Sequence, residues 1–402
     1  MNTGMNGHSR PAAKDVLEHV QSKRGEMILL LRRMTEAESP SDVPGAQHEI
    51  REIIAIALER LGYAVKRIPG RSSGGMLHAR PAKRRRGQPA QLLLGHYDTV
   101  WPLGTLDDMP FEHEDDVLRG PGVYDMKGGV AQALMAIDTI QHFKLELGVT
   151  PHIFLNSDEE IGSRESRRYI ESLAPQMDRV FVLEPSLGPA GKFKTARKGV
   201  GRFTVTVRGE AAHAGLDPGS GASAILELSH VIQALFALND FDTGVTVNVG
   251  TIDGGLRPNV IAPESQAVVD VRVPTQADAE RVEAAILGLE PAIEGTSLQI
   301  EGGFGRPAME RTPANRQLWH VACRLGDEIG LQLEEGLAGG GSDGNFTSLY
   351  TATLDGMGAV GDGAHARHEH LRLGRTIEHA ALLALLLMAP PLESAFTAST
   401  SK

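Results

Sequence analysis

Short apolar segments alternate with amphipathic ones through the first half of the chain, and each apolar segment runs into a polar cluster. QLLLGHYDTV reads as a strand entering a loop and GGVAQALMAIDTIQHF as a helix. TPHIFLNSDEE reads as a strand ending in acids, SRESRRYIESL as a helix and RVFVLEP as a further strand. Strand and helix in turn predict an α/β sandwich around a largely parallel sheet. Ligands of such sheets collect at the carboxyl ends of the strands, where these polar clusters fall. Two helices are expected ahead of the sheet, over residues 14–37 and 46–61, with Gly62 in the C-cap place of the second.

From Phe193 the texture changes. GRFTVTVRGEAAH alternates like a half-exposed strand, and GSGASAILELSHVIQALFAL is a long helix. TVNVGTIDGG and SQAVVDVRVP are strands, DAERVEAAILGLEPAI is a helix and SLQIEGGF is a last strand. That order describes a small α+β domain of ferredoxin-like type. After Arg306 the first style resumes with the helix NRQLWHVACRLGDEIG and a glycine-rich loop. The expected organisation is a catalytic domain in two parts, 1–192 and 307–402, interrupted by an insert at 193–306.

The 402 residues include one cysteine, Cys323, which excludes an internal disulfide and a cysteine-based structural zinc site. A formal charge of -11 makes nucleic acid a poor partner. The basic run Lys83 to Arg86 reads as a solvated turn between two strands. The N-terminal MNTGMNGHSRPAAKD has no apolar core of a signal peptide, and the apolar stretch Ala380 to Ala389 is too short to span a bilayer. No membrane association and a cytoplasmic location are therefore expected.

Five segments carry candidate chemistry. In GHYDTV, His96 and Asp98 lie two apart at a strand end and can face the same way. A carboxylate beside an imidazole suits a metal ligand, and it equally suits a structural pair. In GPGVYDMKGG, Asp125 sits in a glycine-bounded loop, aimed inward or capping the following helix. In FLNSDEEIGS, three consecutive acids repel one another unless a cation offsets them or water solvates them. Adjacent Glu159 and Glu160 can divide labour, one on a metal and one carrying protons. In FVLEPS, Glu184 ends a very apolar strand and needs a cation, either a metal or a basic side chain. In GDGAHARHEH, His365 follows glycines, with His368 and His370 as alternatives. Two histidines and three carboxylates suit a pair of borderline metal ions with nitrogen and oxygen ligands. No GxSxG elbow, phosphate-binding loop or CxxC motif competes for the chemistry.

The ordered set GHYDTV, GPGVYDMKGG, NSDEEIGS, LEPS, AAHAG, GRPA, GGGSDG and GAH resembles the co-catalytic zinc aminoacylase and carboxypeptidase family. That family includes glutamate carboxypeptidase, acetylornithine deacetylase, succinyl-diaminopimelate desuccinylase and peptidase T. The likeness is strongest to the glutamate carboxypeptidase branch. It implies a phosphorylase/hydrolase-like α/β zinc peptidase domain with an inserted ferredoxin-like dimerisation domain. It implies two zinc ions per chain, which cobalt or manganese could replace. His96 and Glu184 would hold one ion, Glu160 and His365 the other, and Asp125 would bridge them. Glu159 matches the general base and Asp98 the acid orienting His96. His213 matches a histidine that reaches a neighbouring active site across a homodimer. Asn259 and Arg306 match groups that hold a substrate carboxylate, and Gly340 and Gly341 lie in the substrate-side loop. From the residues alone, His213 could equally cap its turn, Arg306 could pair with surface acids, and the loop could be a flexible turn. Trp101, Arg257 and Phe346 depart from the family pattern at expected pocket positions. The implied reaction is release of a C-terminal amino acid, glutamate first, from an acyl or peptidyl substrate. An N-acyl-amino-acid deacylase, such as acetylornithine deacetylase or a general aminoacylase, is the alternative.

Overall fold

The computed structural model describes residues 10–83 and 87–392, so the first nine residues and Arg84 to Arg86 of the basic run lie outside it. The chain divides into two compact units. One comprises Met1–Thr195, Arg311–Leu337 and Ser342–Lys402, and the other Ala196–Glu310 with Ala338–Gly341. The second unit begins after residue 193 because Phe193 is buried in the first, against the rings of Trp319 and His379.

The first unit is built on a six-stranded sheet. Its order is Tyr63–Ile68, Met76–Pro81, Thr150–Asn156, Ala90–His96, Met177–Val182, Ala352–Leu354. The last four strands run parallel. The first two form an antiparallel edge, so the sheet is mixed where a largely parallel one was expected. Thr150–Asn156 is buried at every position, as a strand covered on both faces must be. The helices Gly128–His142 and Leu373–Met388 pack together with most of their residues buried. The expected helix 14–37 is two, Ala13–Ser22 and Arg24–Glu36, broken at Lys23 beside the weak helix former Gly25. The second expected helix is His48–Arg60, and Gly62 beyond it takes the left-handed conformation of a C-terminal glycine.

A buried arginine closes the C-terminal helix. Arg179 is fully buried and donates to the carbonyls of Leu386, Ala389 and Pro390. Its Nε donates to Gln91 Oε1 at 2.9 Å, and Gln91 donates in turn to Val149 and Leu387 carbonyls. The last carbonyls of a helix have no partner within it, and here a strand side chain supplies one.

The second unit is an antiparallel sheet in the order Thr246–Gly254, Glu264–Val273, Gly199–Arg208, Ser297–Arg306. Helices Ala224–Phe236 and Gln276–Leu287 connect the strands in the ferredoxin-like sequence, each capped by a hydroxyl, Ser223 or Thr275. Phe203, Val205 and Val207 alternate inward along one strand and meet Val269, Val271 and Leu228 in a separate core. Among the described residues no helix is long and apolar enough to cross a membrane.

Candidate metal centre

The three central parallel strands of the first unit place the site. His96 ends the middle one, level with Asn156 on one neighbour, and Leu94 is level with Val182 on the other. The two flanking strands therefore deliver Glu159 and Glu160 on one side of His96 and Glu184 on the other. Two glycines let the Glu184 turn sit deep. A Cβ on Gly129 would stand 2.0 Å from the Leu183 carbonyl oxygen, and one on Gly358 would stand 2.2 Å from the same atom. Asp125 comes from the turn ahead of helix Gly128–His142, where Gly120 and Gly122 have positive φ. It caps nothing, so the helix-cap alternative does not hold. His365 is itself left-handed at φ 60°, a strained conformation for a non-glycine residue in a loop.

These five side chains converge. His96 Nε2 is 3.5 Å from Asp125 Oδ1 and 3.5 Å from Glu184 Oε1. His365 Nε2 is 3.5 Å from Asp125 Oδ2 and 3.1 Å from Glu160 Oε2. One oxygen of Asp125 thus faces each histidine. Atoms bound at about 2.0–2.1 Å around a tetrahedral zinc stand about 3.3–3.4 Å apart, which matches these separations. His96 Nε2 and Asp125 Oδ1 are buried without a hydrogen-bond partner. Buried polar atoms left this way signal a missing partner, and the donors suit a divalent cation.

The electrostatics agree. Burial alone would keep His96 neutral, but Asp125, Asp98 and Glu184 outweigh it and raise its pKa well above the ordinary value. Asp125 and Glu160 raise His365 to about 10. Burial opposes the charged form of Asp125, yet His365 and His96 hold it well below the usual carboxylate range. Burial pushes Glu160 up to about 7. The cluster carries more negative charge than it can neutralise, so protons collect on its histidines. A bound cation would take their place and release them.

Asp98 serves two masters. His96 Nδ1 lies 3.0 Å from its main-chain carbonyl and 3.3 Å from its carboxylate, so the carbonyl makes the closer contact. The carboxylate also accepts from Ser41 Oγ at 2.7 Å and from the main-chain N–H groups of Glu160 and Glu159 at 3.2 and 3.4 Å. A Glu159 oxygen lies within 4.8 Å of ligand atoms on both His96 and Glu184. Lys194, buried and 3.9 Å from Glu184, is a neighbour that the sequence reading did not single out. Ser41 and Glu369 were missed as well. Ser41 stands 57 residues from Asp98 with no motif to connect them.

The remaining candidates belong to the second unit. His213 pairs with Val260 in an antiparallel bridge, and the Asn259 carbonyl accepts from Ala214 N–H. His213 Nδ1 accepts from Gly215 and Leu216 N–H at 3.1 Å, so the ring does cap its turn. That leaves the proton of the neutral ring on Nε2. Arg306 ends strand Ser297–Arg306 and is mostly buried. The carbonyls of Gly340 and Gly341 accept from Arg197 Nη1, which tethers the glycine-rich loop. Phe346 is not a pocket residue. It is fully buried in the first unit, with the Arg167 guanidinium 4.7 Å above its ring. His370 Nδ1 contacts the His368 carbonyl, and neither histidine joins the cluster.

The fold and this cluster define a metal-dependent hydrolase. Residues 92–389 match Peptidase family M20/M25/M40, and the chain belongs to that family. It is 28% identical over 319 residues to carboxypeptidase G2 of Pseudomonas sp. (strain RS-16), covering 77% of this chain and 75% of that one. It is 34% identical over 199 residues to acetylornithine deacetylase of Myxococcus xanthus, 46% of this chain and half of that one (50%). Its fold is similar to a Bacillus subtilis protein described as a dinuclear metal-binding peptidase of family M20. That structure superposes with a TM-score of 0.67 at 15% identity, over 92% of this chain and 99% of the other.

Proposed function

We propose that the protein is a two-zinc exopeptidase or amidohydrolase that releases a C-terminal amino acid, glutamate first, from an N-acyl or peptidyl substrate. The observation that carries this reading is the division of Asp125 between two histidine–glutamate pairs. His96 and Glu184 would hold one ion, His365 and Glu160 the other, with Asp125 shared. When bound, the ions polarise the scissile carbonyl and lower the pKa of water.

The protein's own groups supply the rest. Glu159 accepts a proton from the attacking water as the C–O bond forms, then delivers it to the leaving nitrogen as the C–N bond breaks. The Nε2–H of His213 is in the donor form that an oxyanion needs. Arg306 and Asn259 would grip the free carboxylate, Arg306 through its planar fork. Gly340 and Gly341 would form the wall beside the substrate. His213 acts across a homodimer in this reading. Support comes from exposed Leu216, Ile252 and Leu256 and from the sheet edge Thr246–Gly254, which would otherwise need protection. A single cysteine suits a reducing compartment, and we place the enzyme in the cytoplasm.

The preference for glutamate rests on motif resemblance to glutamate carboxypeptidases. The match to acetylornithine deacetylase favours a second reading, N-acyl-amino-acid deacylation by the same chemistry. One rate panel separates them, using N-acyl amino acids with a common acyl group and different C-terminal residues. Faster turnover of Glu or Asp supports the first reading, and equal rates for neutral residues support general deacylation. Methyl esters turned over as fast as free acids would remove the role given to Arg306.

A further inference from the structure

Four hydrogen bonds converge on the buried carboxylate of Glu369. Its Oε1 accepts from the main-chain N–H of Tyr124 at 2.9 Å and of Asp125 at 3.1 Å. Its Oε2 accepts from Gly122 N–H at 3.0 Å and from the indole N–H of Trp101 at 2.7 Å. A carboxylate offers about four acceptor sites, so none is left for a cation.

Three of the four donors are main chain of the turn that presents Asp125. Gly122 is left-handed there, at φ 76°, and successive N–H groups in such a turn form a concavity for an anion. Glu369 is that anion. Its neighbours in sequence explain the consequence. Glu369 follows His365 by four residues, and Trp101 follows Asp98 by three. One carboxylate therefore ties together the loop of His96, the turn of Asp125 and the loop of His365.

We propose that Glu369 is a positioning residue for the metal pair. It fixes the main chain of residues 122–125 and so aims the two oxygens of Asp125, while Trp101 holds Glu369 in place. The proposal rests on the two-metal reading above. A glutamine cannot do the same job. It would turn an NH2 group toward at least one of the four donors, leaving a buried N–H unpaired.

The test compares wild type with Glu369→Gln, Glu369→Asp and Trp101→Phe. Amide exchange of residues 122–125 is measured in metal-free protein, and uptake of cobalt(II) is followed by its visible d–d bands in competition with a chelator. Outer partners of metal ligands are commonly worth about 10–100-fold in affinity. Glu369→Gln should speed exchange at Tyr124 and Asp125, weaken cobalt binding by that factor and alter the bands. Glu369→Asp should recover part of each effect. Trp101→Phe removes one bond of four and should show the same changes, smaller, and it remains informative if Glu369→Gln does not fold. Unchanged exchange together with wild-type cobalt affinity and bands in the variants would overturn the positioning role. Wild-type protein that takes up fewer than two equivalents would overturn the two-metal reading and the positioning of a metal pair with it, whatever the exchange data show.

Discussion

His365 and Glu160 meet at 3.1 Å although 205 residues separate them in the chain. Glu160 is nearly buried, and His365, left-handed at φ 60°, faces both it and Asp125. Replacing His365 with Ala should therefore remove one bound cation and leave the His96 side occupied. Metal analysis after purification without chelator should fall from near two equivalents to near one, and kcat should drop at least about 100-fold. Two retained equivalents would refute the ligand assignment.

The adjacent acids should separate cleanly. Glu159→Gln is expected to lower kcat by about 100- to 10,000-fold with metal content near normal, as loss of a general base does. Glu160→Gln is expected to lose metal first. Stoichiometry and single-turnover rates on the same preparations decide between the roles, and equal metal loss in both variants would show that they act together as ligands.

Arg179→Met should destabilise the first unit by about 3 kcal/mol. It keeps the bulk and removes the guanidinium's hydrogen bonds to the Leu386, Ala389 and Pro390 carbonyls and to Gln91. Urea unfolding followed by the intrinsic fluorescence of Trp101 and Trp319, both in the first unit, would report the loss. An unchanged midpoint would mean that solvent replaces those bonds.

A pH effect on stability should come from His379. Burial, with Arg375 adding to it, lowers its pKa to about 4 from an ordinary 6.5. The folded state therefore keeps the ring neutral. Between pH 6.5 and 4 the unfolded chain binds a proton that the folded one does not, so stability falls by about 1.4 kcal/mol per unit. The contribution is absent above that window and constant below it. Urea midpoints of metal-free wild type and His379→Asn across this range should converge as the pH falls, and parallel curves would contradict the assignment.

The homodimer proposed above should depend on the exposed edge of the second unit. Ile252→Lys places a charge on strand Thr246–Gly254, at a side chain that is 66% exposed. Light scattering should then report one chain where wild type gives two, and kcat should fall if His213 works across the interface. A wild-type mass of one chain would end this part of the reading.

The metal candidates were legible because polar residues that end apolar strands have few other reasons to be there. His96, Glu160 and Glu184 each follow a continuous buried run. The insert was legible through its alternation, Phe203, Val205 and Val207 inward against Arg202 and Arg208 outward. The antiparallel edge Tyr63–Ile68 and Met76–Pro81 was not, since hydrophobic period does not encode strand direction. Phe346 was misplaced because a loop position says nothing of depth. Glu369 was hidden for a chemical reason: three of its four partners are main-chain N–H groups, which every residue but proline carries and no motif marks.

The dispersal of the ligands along the chain also orders events during synthesis. His96, Asp125, Glu160 and Glu184 all leave the ribosome before the second unit is made, whereas His365 follows it by some tens of residues. Glu184 and His365 are about 180 residues apart, roughly 10–40 s at about 5–20 residues per second. In the two-metal reading, a nascent chain in that interval carries three of the ligands proposed for one ion and an unfinished set for the other. Glu369, which bonds the turn of Asp125, is made after His365, so in the two-metal reading both ion sites wait for the C-terminal part of the chain.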